Sequence, residues 1–158
     1  MSPQPVNLVG GTGSPYTQKM AALLRYRRIP YVITWGQPEV MCEALGVAAP
    51  KPTFMPTFFF EQDGELAAHC DSTPIIRRLE AEHDGRSVLP EDPALAFIDY
   101  LIEDFADEWC TKYMFHYRWH FEADADNAGT KLPLSMDVSM PQEQFQQFKD
   151  IISQRQIE

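Results

Sequence analysis

The dipeptide Asp63-Gly64, between "TFFFEQ" and "ELAAHC", limits this chain's possible folds more than any other feature. Asp-Gly readily takes the positive φ angles of a two-residue turn, and such a turn joins antiparallel neighbours. Upstream, residues 6–9 form a short apolar strand candidate that runs into Gly10, Gly11 and Gly13. From Ser14 the period changes: Met20, Leu23 and Leu24 recur at helical spacing, and Pro15 suits the first helical position after a serine cap. The spacing predicts a helix over 15–28, stopped by Pro30, and "YVITW" reads as a second strand. A weaker helix is expected within 37–49. After the hairpin, "DSTPIIRRLEAEH" opens a helix with Asp71 or Ser72 as cap and Ile75, Ile76 and Leu79 as its buried stripe. The order is βαβ, α, ββ, α.

Beyond residue 83 the chain changes class. Residues 84–93, "DGRSVLPEDP", are polar and turn-rich and read as a linker. One long helix is expected over 94–119, because Leu95, Ile98, Leu101, Ile102, Phe105, Trp109 and Tyr113 hold helical spacing. "EADADNAG" reads as an acidic loop. A second helix is expected from near Ser139, with Pro141 in its first turn and Phe145, Phe148, Ile151 and Ile152 on one face.

Composition narrows the function classes. With 158 residues, 44% of them apolar, and no apolar run near the roughly 18 to 20 residues of a membrane span, the expectation is a soluble globular protein of one ordinary domain, or of one small domain plus part of another. "MSPQPVNLV" shows no export or transit pattern, so a cytoplasmic location is expected. Cys42, Cys70 and Cys110 are widely spaced and odd in number, which argues against a disulfide framework or a structural zinc site; they read as small buried apolar residues. A formal net charge of −10 disfavours a nucleic-acid partner. Lys19, Arg25, Arg27 and Arg28 fall in one predicted helix, where cations near the C-terminal end complement the macrodipole.

The glycines invite a dinucleotide-binding reading, which the neighbouring residues oppose. Counting from Gly11 and Gly13, the third glycine position holds Tyr16, and "VITWG" lacks the acidic residue that grips a ribose. No further parallel βα units follow. A nucleotide cofactor is therefore not expected.

"SPYTQKMAALLRYRRIPY" and "MPTFFFEQDGELAAHCDSTPIIRRLE" together resemble the first helix and the glutathione-site segment of the glutathione transferase family. The resemblance runs from Val6 to His83, and the long helix after a polar linker resembles the start of that family's all-helical second domain. It implies a thioredoxin-like α/β domain over 1–83, a linker over 84–93 and a partial all-helical domain over 94–158. It further implies glutathione as co-substrate, whose thiolate is conjugated to a small electrophile.

The resemblance also implies roles for particular residues. Ser14, at a helix N-terminus, would donate its hydroxyl to the bound thiol's sulfur, where backbone N–H groups also favour an anion. Lowering a thiol pKa of about 8.5 by two units takes about 2.7 kcal/mol of preferential stabilisation, within reach of these groups. Met55 and Pro56 look like the residue before the family's cis-proline and that proline; a cis bond there would present the backbone of Met55 to the cysteinyl unit, whereas an ordinary trans proline would only open a strand. The N–H and hydroxyl of Ser72 would hold the γ-glutamyl carboxylate, and Asp71 its ammonium; both residues would equally cap the helix without a ligand. Lys51 is the nearest basic residue for the glycyl carboxylate.

For the second substrate, Tyr16, Tyr113, Tyr117 and Trp119 are candidate pocket residues. His116 and His120 lie one helical turn apart without a zincin pattern or a fixed third ligand, so no metal is expected and an aromatic helix end is the simpler reading. The family's second domain normally continues for several more helices. This sequence stops one helix after the long one, so either it is truncated or it is a reduced member whose apolar faces a partner chain covers; a homodimer is expected. Two other functions stay open: a non-catalytic binding or assembly module of the same fold, and a glutaredoxin-like oxidoreductase. Ser14 opposes the latter because serine cannot form a mixed disulfide.

Overall fold

A computed structural model describes residues 4–157; Met1, Ser2, Pro3 and Glu158, at the two ends of the expected domains, lie outside the described residues. The chain divides into two compact units between Val88 and Leu89.

The first unit contains β1 (Val6–Gly10), α1 (Pro15–Arg27), β2 (Tyr31–Trp35), α2 (Pro38–Leu45), β3 (Thr57–Gln62), β4 (Glu65–His69) and α3 (Ser72–Glu82). The strands form one sheet in the order β2-β1-β3-β4, with β1 parallel to β2 and antiparallel to β3. Asp63 and Gly64 have φ of 54° and 82°, the pair of positive angles that lets two residues turn β3 into β4. Helices cover both sheet faces, which the alternation of side chains along each strand makes possible. Leu8, Phe58 and Phe60 join Met20 and Leu24 of α1 and Ile75 and Leu79 of α3 in the larger core cluster. Val9 and Phe59 point the other way, onto Cys42 of α2. Burial first, and the Glu39 carboxylate second, push the Cys42 thiol pKa up.

Two local devices fix α1. Ser14 caps its start in an extended conformation, accepting the Thr17 N–H at 3.2 Å, and Pro15 follows in the first turn. At the other end Arg28 adopts φ 58°, so that its N–H and that of Ile29 close onto Arg25 and Leu24. Below α1, Arg27 is buried against α3: its Nη1 lies 2.9 Å from Glu80 Oε1, and Nη2 donates to the carbonyl of His83. The contact is ionic rather than an aligned hydrogen bond, since Nη1 and Nε find no hydrogen-bond partner among the described residues. Glu80 also accepts the Ser87 hydroxyl and the Val88 N–H, so the start of the expected linker is tied to the first unit.

The second unit is helical: α4 (Pro93–Phe105), a π-helical turn (Ala106–Cys110), α5 (Thr111–Trp119), α6 (Glu122–Leu134) and α7 (Gln142–Ile157). The expected long helix is present as one continuous helical path, widened in the middle by the π turn, where the Thr111 hydroxyl donates to the Asp107 carbonyl. Four expectations need correction. The acidic stretch 122–129 is not a loop but most of α6, because Glu122 and Asp124 lie in its first turn, where negative charge complements the macrodipole. The helix expected from Ser139 starts at Gln142, with the Pro141 carbonyl accepting the Phe145 N–H, and Ile151 is exposed rather than on its buried face. Trp119, expected beside a substrate pocket, is buried. Of the cysteines only Cys42 is buried; Cys70 is half-buried and Cys110 exposed. α6 and α7 approach closely at Gly129, where a Cβ would meet Ser153 Oγ at 2.5 Å. Lys149 bridges the same helices to Asp126 and Thr130.

Candidate functional site

The candidate residues of the first unit converge where α1 begins. Gly10 ends β1 against Thr17 of α1: a Cβ on Gly10 would lie 2.6 Å from Thr17 Oγ1, so only glycine lets helix and strand approach this closely. The turn continues with the Ser14 N–H donating to the Gly11 carbonyl at 3.1 Å. This packs the α1 N-terminus against the sheet and holds the Ser14 side chain half-buried at its cap.

From there the Ser14 hydroxyl donates to the carbonyl of Met55 at 3.4 Å. The Met55–Pro56 peptide bond is cis, as is Lys51–Pro52. The Thr57 hydroxyl pins the preceding segment by donating to the Phe54 carbonyl at 2.8 Å, and the Cys70 thiol reaches the Pro52 carbonyl at 3.3 Å. The segment around the two prolines is thus tied to both the β4–α3 junction and the α1 cap.

At that junction Asp71 is the N-cap of α3, accepting the Thr73 N–H at 3.2 Å, and its φ of 82° is unusual for a residue with a side chain. Ser72 is buried as the first helical residue. Lys19, on the second turn of α1, donates to the Ser72 hydroxyl at 3.1 Å. Helix N-termini carry positive partial charge and free N–H groups, so the beginnings of α1 and α3 together offer two places for negative charge. A thiol sulfur at Ser14 and a carboxylate at Ser72, with an ammonium on Asp71, is a charge arrangement these residues fit.

The structure joins Ser14 to Met55 directly and brings Asp71 and Ser72 to the same end of the unit through Lys19 and Cys70. It does not join Lys51, which is exposed and has no hydrogen bond or ion pair to the described residues. Tyr16 is half-buried in the first turn of α1. Tyr113 and Tyr117 belong to α5 of the second unit, where they are exposed; Tyr113 packs edge-on against Phe105 and Tyr117 against His116. His116 and His120 stack with ring centroids 4.5 Å apart, and no group of three or more His, Cys, Asp or Glu side chains is gathered among the described residues. Lys19, Gly10 and Thr17 are the participants that the sequence reading did not assign to the site. Lys19 was legible only as one cation among several on a helix, because its partner is 53 residues away.

A family model described as the glutathione S-transferase N-terminal domain matches residues 8–87. No curated protein matches the chain. Among solved structures, a glutathione S-transferase from Methylobacterium radiotolerans, in complex with glutathione sulfonate, is similar with a TM-score of 0.56 and 18% identity over 98% of this chain. One from Ceriporiopsis subvermispora, in complex with glutathione, is similar at 0.54 and 20% over 93%. A glutathione transferase homologue from Burkholderia, with bound glutathione, is similar at 0.53 and 13% over 98%, and 82% of its own length is covered. The chain spans only 62% and 60% of the first two. At these identities the likeness speaks for the fold: a thioredoxin-like unit followed by a helical region.

Proposed function

The chain belongs to the glutathione S-transferase family, and from that premise we propose that it binds glutathione at the start of α1 and α3 and conjugates the thiolate to a small electrophile. The observation that carries the reading is the placement of Ser14: a hydroxyl at a helix N-terminus, held within 3.4 Å of the Met55 carbonyl beside the β3 entry. With a tripeptide bound, the cysteinyl unit lies along Met55, and the Ser14 hydroxyl turns from the carbonyl to the sulfur. The hydroxyl and the α1 N-terminus then favour thiolate over thiol. The thiol proton passes to solvent and the thiolate attacks an electrophilic carbon: a C–S bond forms, and either the leaving group departs with the pair of the broken bond or, at an activated double bond, the π pair moves onto the activating group and is then protonated. Ser14 stabilises the nucleophile without becoming one. Asp71 pairs with the γ-glutamyl ammonium and Ser72 with its carboxylate, so that the sulfur is presented at a fixed distance from Ser14. Complexes with glutathione or its sulfonate in the structurally similar proteins support this assignment of ligand. Tyr16 is a proposed electrophile contact, Lys51 a proposed contact for the glycyl carboxylate, and the working form a cytoplasmic homodimer.

Calorimetric titration of glutathione into the protein, paired with ultraviolet detection of the bound thiolate across pH, tests this. Asp71→Ala is expected to weaken binding about tenfold, the scale of one charge-assisted contact. Ser14→Ala is expected to leave affinity within about threefold and to raise the bound thiol's pKa by about one to two units. Absence of saturable binding overturns the glutathione assignment and leaves a binding module on the same fold.

A further inference from the structure

We infer that Thr17 is a positioning residue of the thiol subsite, whose side-chain hydroxyl fixes the direction in which Ser14 presents its own hydroxyl proton to the sulfur; the inference rests on the glutathione reading above. Three hydrogen bonds close a ring at the start of α1. The Ser14 N–H donates to the Gly11 carbonyl at 3.1 Å, the Gly11 N–H to Thr17 Oγ1 at 3.4 Å, and the Thr17 N–H to Ser14 Oγ at 3.2 Å. In a capping box the side chain at this third helical position reaches back to the N–H of the cap itself. The Thr17 side chain takes the Gly11 N–H instead, so the loop that leads into the cap is held together with the cap.

The ring leaves the Ser14 hydroxyl one direction. Its oxygen accepts the Thr17 N–H inside the ring, and its proton points out of it, to the Met55 carbonyl. Accepting a helix N–H also makes that hydroxyl a stronger donor. Met55 meets the ring again at Gly11, where a Cβ would lie 3.1 Å from Met55 Sδ. The residue along which the cysteinyl unit is proposed to lie therefore touches the held loop as well as the cap. Thr17 is fully buried, a place where an apolar side chain of the same shape would pack, and the Gly11 N–H is what matches its hydroxyl there. All three distances exceed the commonest N–H···O separation, as catalytic contacts often do before a ligand is bound.

Threonine and valine differ in shape little and in hydroxyl wholly, and the same holds for serine and alanine. Variants at position 17 are titrated with glutathione by calorimetry, and the bound thiolate is followed by ultraviolet absorbance across pH. Thr17→Val and Thr17→Ala are expected to raise the bound thiol's pKa by about half to one unit and to change affinity for the protonated thiol by less than about twofold. Thr17→Ser, which lacks the buried methyl but keeps the hydroxyl, is expected to leave that pKa in place while lowering the urea midpoint. Ser14→Ala with Thr17→Val is expected to shift it no further than Ser14→Ala alone, because Thr17 acts through Ser14. A merely structural Thr17 gives the serine and alanine variants the same pKa, and that comparison decides the matter even where Thr17→Val fails to fold. Such a result, or an additive double variant, overturns the inference while the functional reading stands. If the unsubstituted protein binds no glutathione, the functional reading itself fails and the inference with it.

Discussion

Gly10 shows how a single missing side chain sets the position of the candidate site. Its neighbour Thr17 is fully buried, and a methyl group on Gly10 would also come within 2.7 Å of Thr17 Cγ2. Thr17 cannot retreat, because the Gly11 N–H and the core hold it on both sides. Gly10→Ala is therefore expected to cost about 1–3 kcal/mol, read as a lower urea midpoint with an unchanged denaturant slope. The glycine-rich stretch invited a phosphate-binding interpretation, yet this glycine serves close packing of helix on strand. Composition in a loop does not reveal which glycine a neighbouring helix approaches.

Among the elements, α1 and α3 depend on one another through the Arg27–Glu80 pair, whose side chains are 2% and 12% exposed. Removing one partner strands the other in the interior, which costs far more than the intact pair contributes. Glu80→Ala is expected to destabilise the first unit by about 3 kcal/mol or more. It also frees the Ser87 and Val88 contacts, so limited proteolysis after the first unit should quicken. Replacing both residues by Met is expected to lose less than the two single Met variants summed, measured in a double-mutant cycle. The helices themselves were legible from their spacing and caps: Ser14 with Pro15, and Asp71 with Ser72, mark the starts at which the structure begins α1 and α3. α6 was missed because its acidic residues resemble a solvated loop, and its helical pattern shows only once α7 packs on Gly129.

At the scale of the whole molecule, the conspicuous feature is apolar surface. α4 buries none of its residues, and on one of its faces Leu95 and Ile102 are each more than half exposed and Ile98 nearly so. An exposed apolar stripe of that kind is what a covering partner would bury. In the proposed homodimer, Ile102→Glu is expected to leave the circular-dichroism spectrum intact while converting a dimer to a monomer in analytical ultracentrifugation. A monomeric unsubstituted protein at high concentration would remove the dimer from the proposal.

Local signals determined the element order of the first unit and the cap of α1, and narrowed that of α3 to Asp71 or Ser72, since turn chemistry and periodicity act over a few residues and are written in adjacent letters. Asp63-Gly64 specified a hairpin, and in the structure its first strand carries Phe58 to Phe60 buried on both faces. Tertiary structure decided which of several polar residues meet: the Ser14 hydroxyl with a carbonyl 41 residues away, and the Lys19 ammonium with Ser72. Such contacts follow from how helices seat on a sheet, which depends on the volumes of Gly10, Thr17 and the core together and on no single segment of the chain.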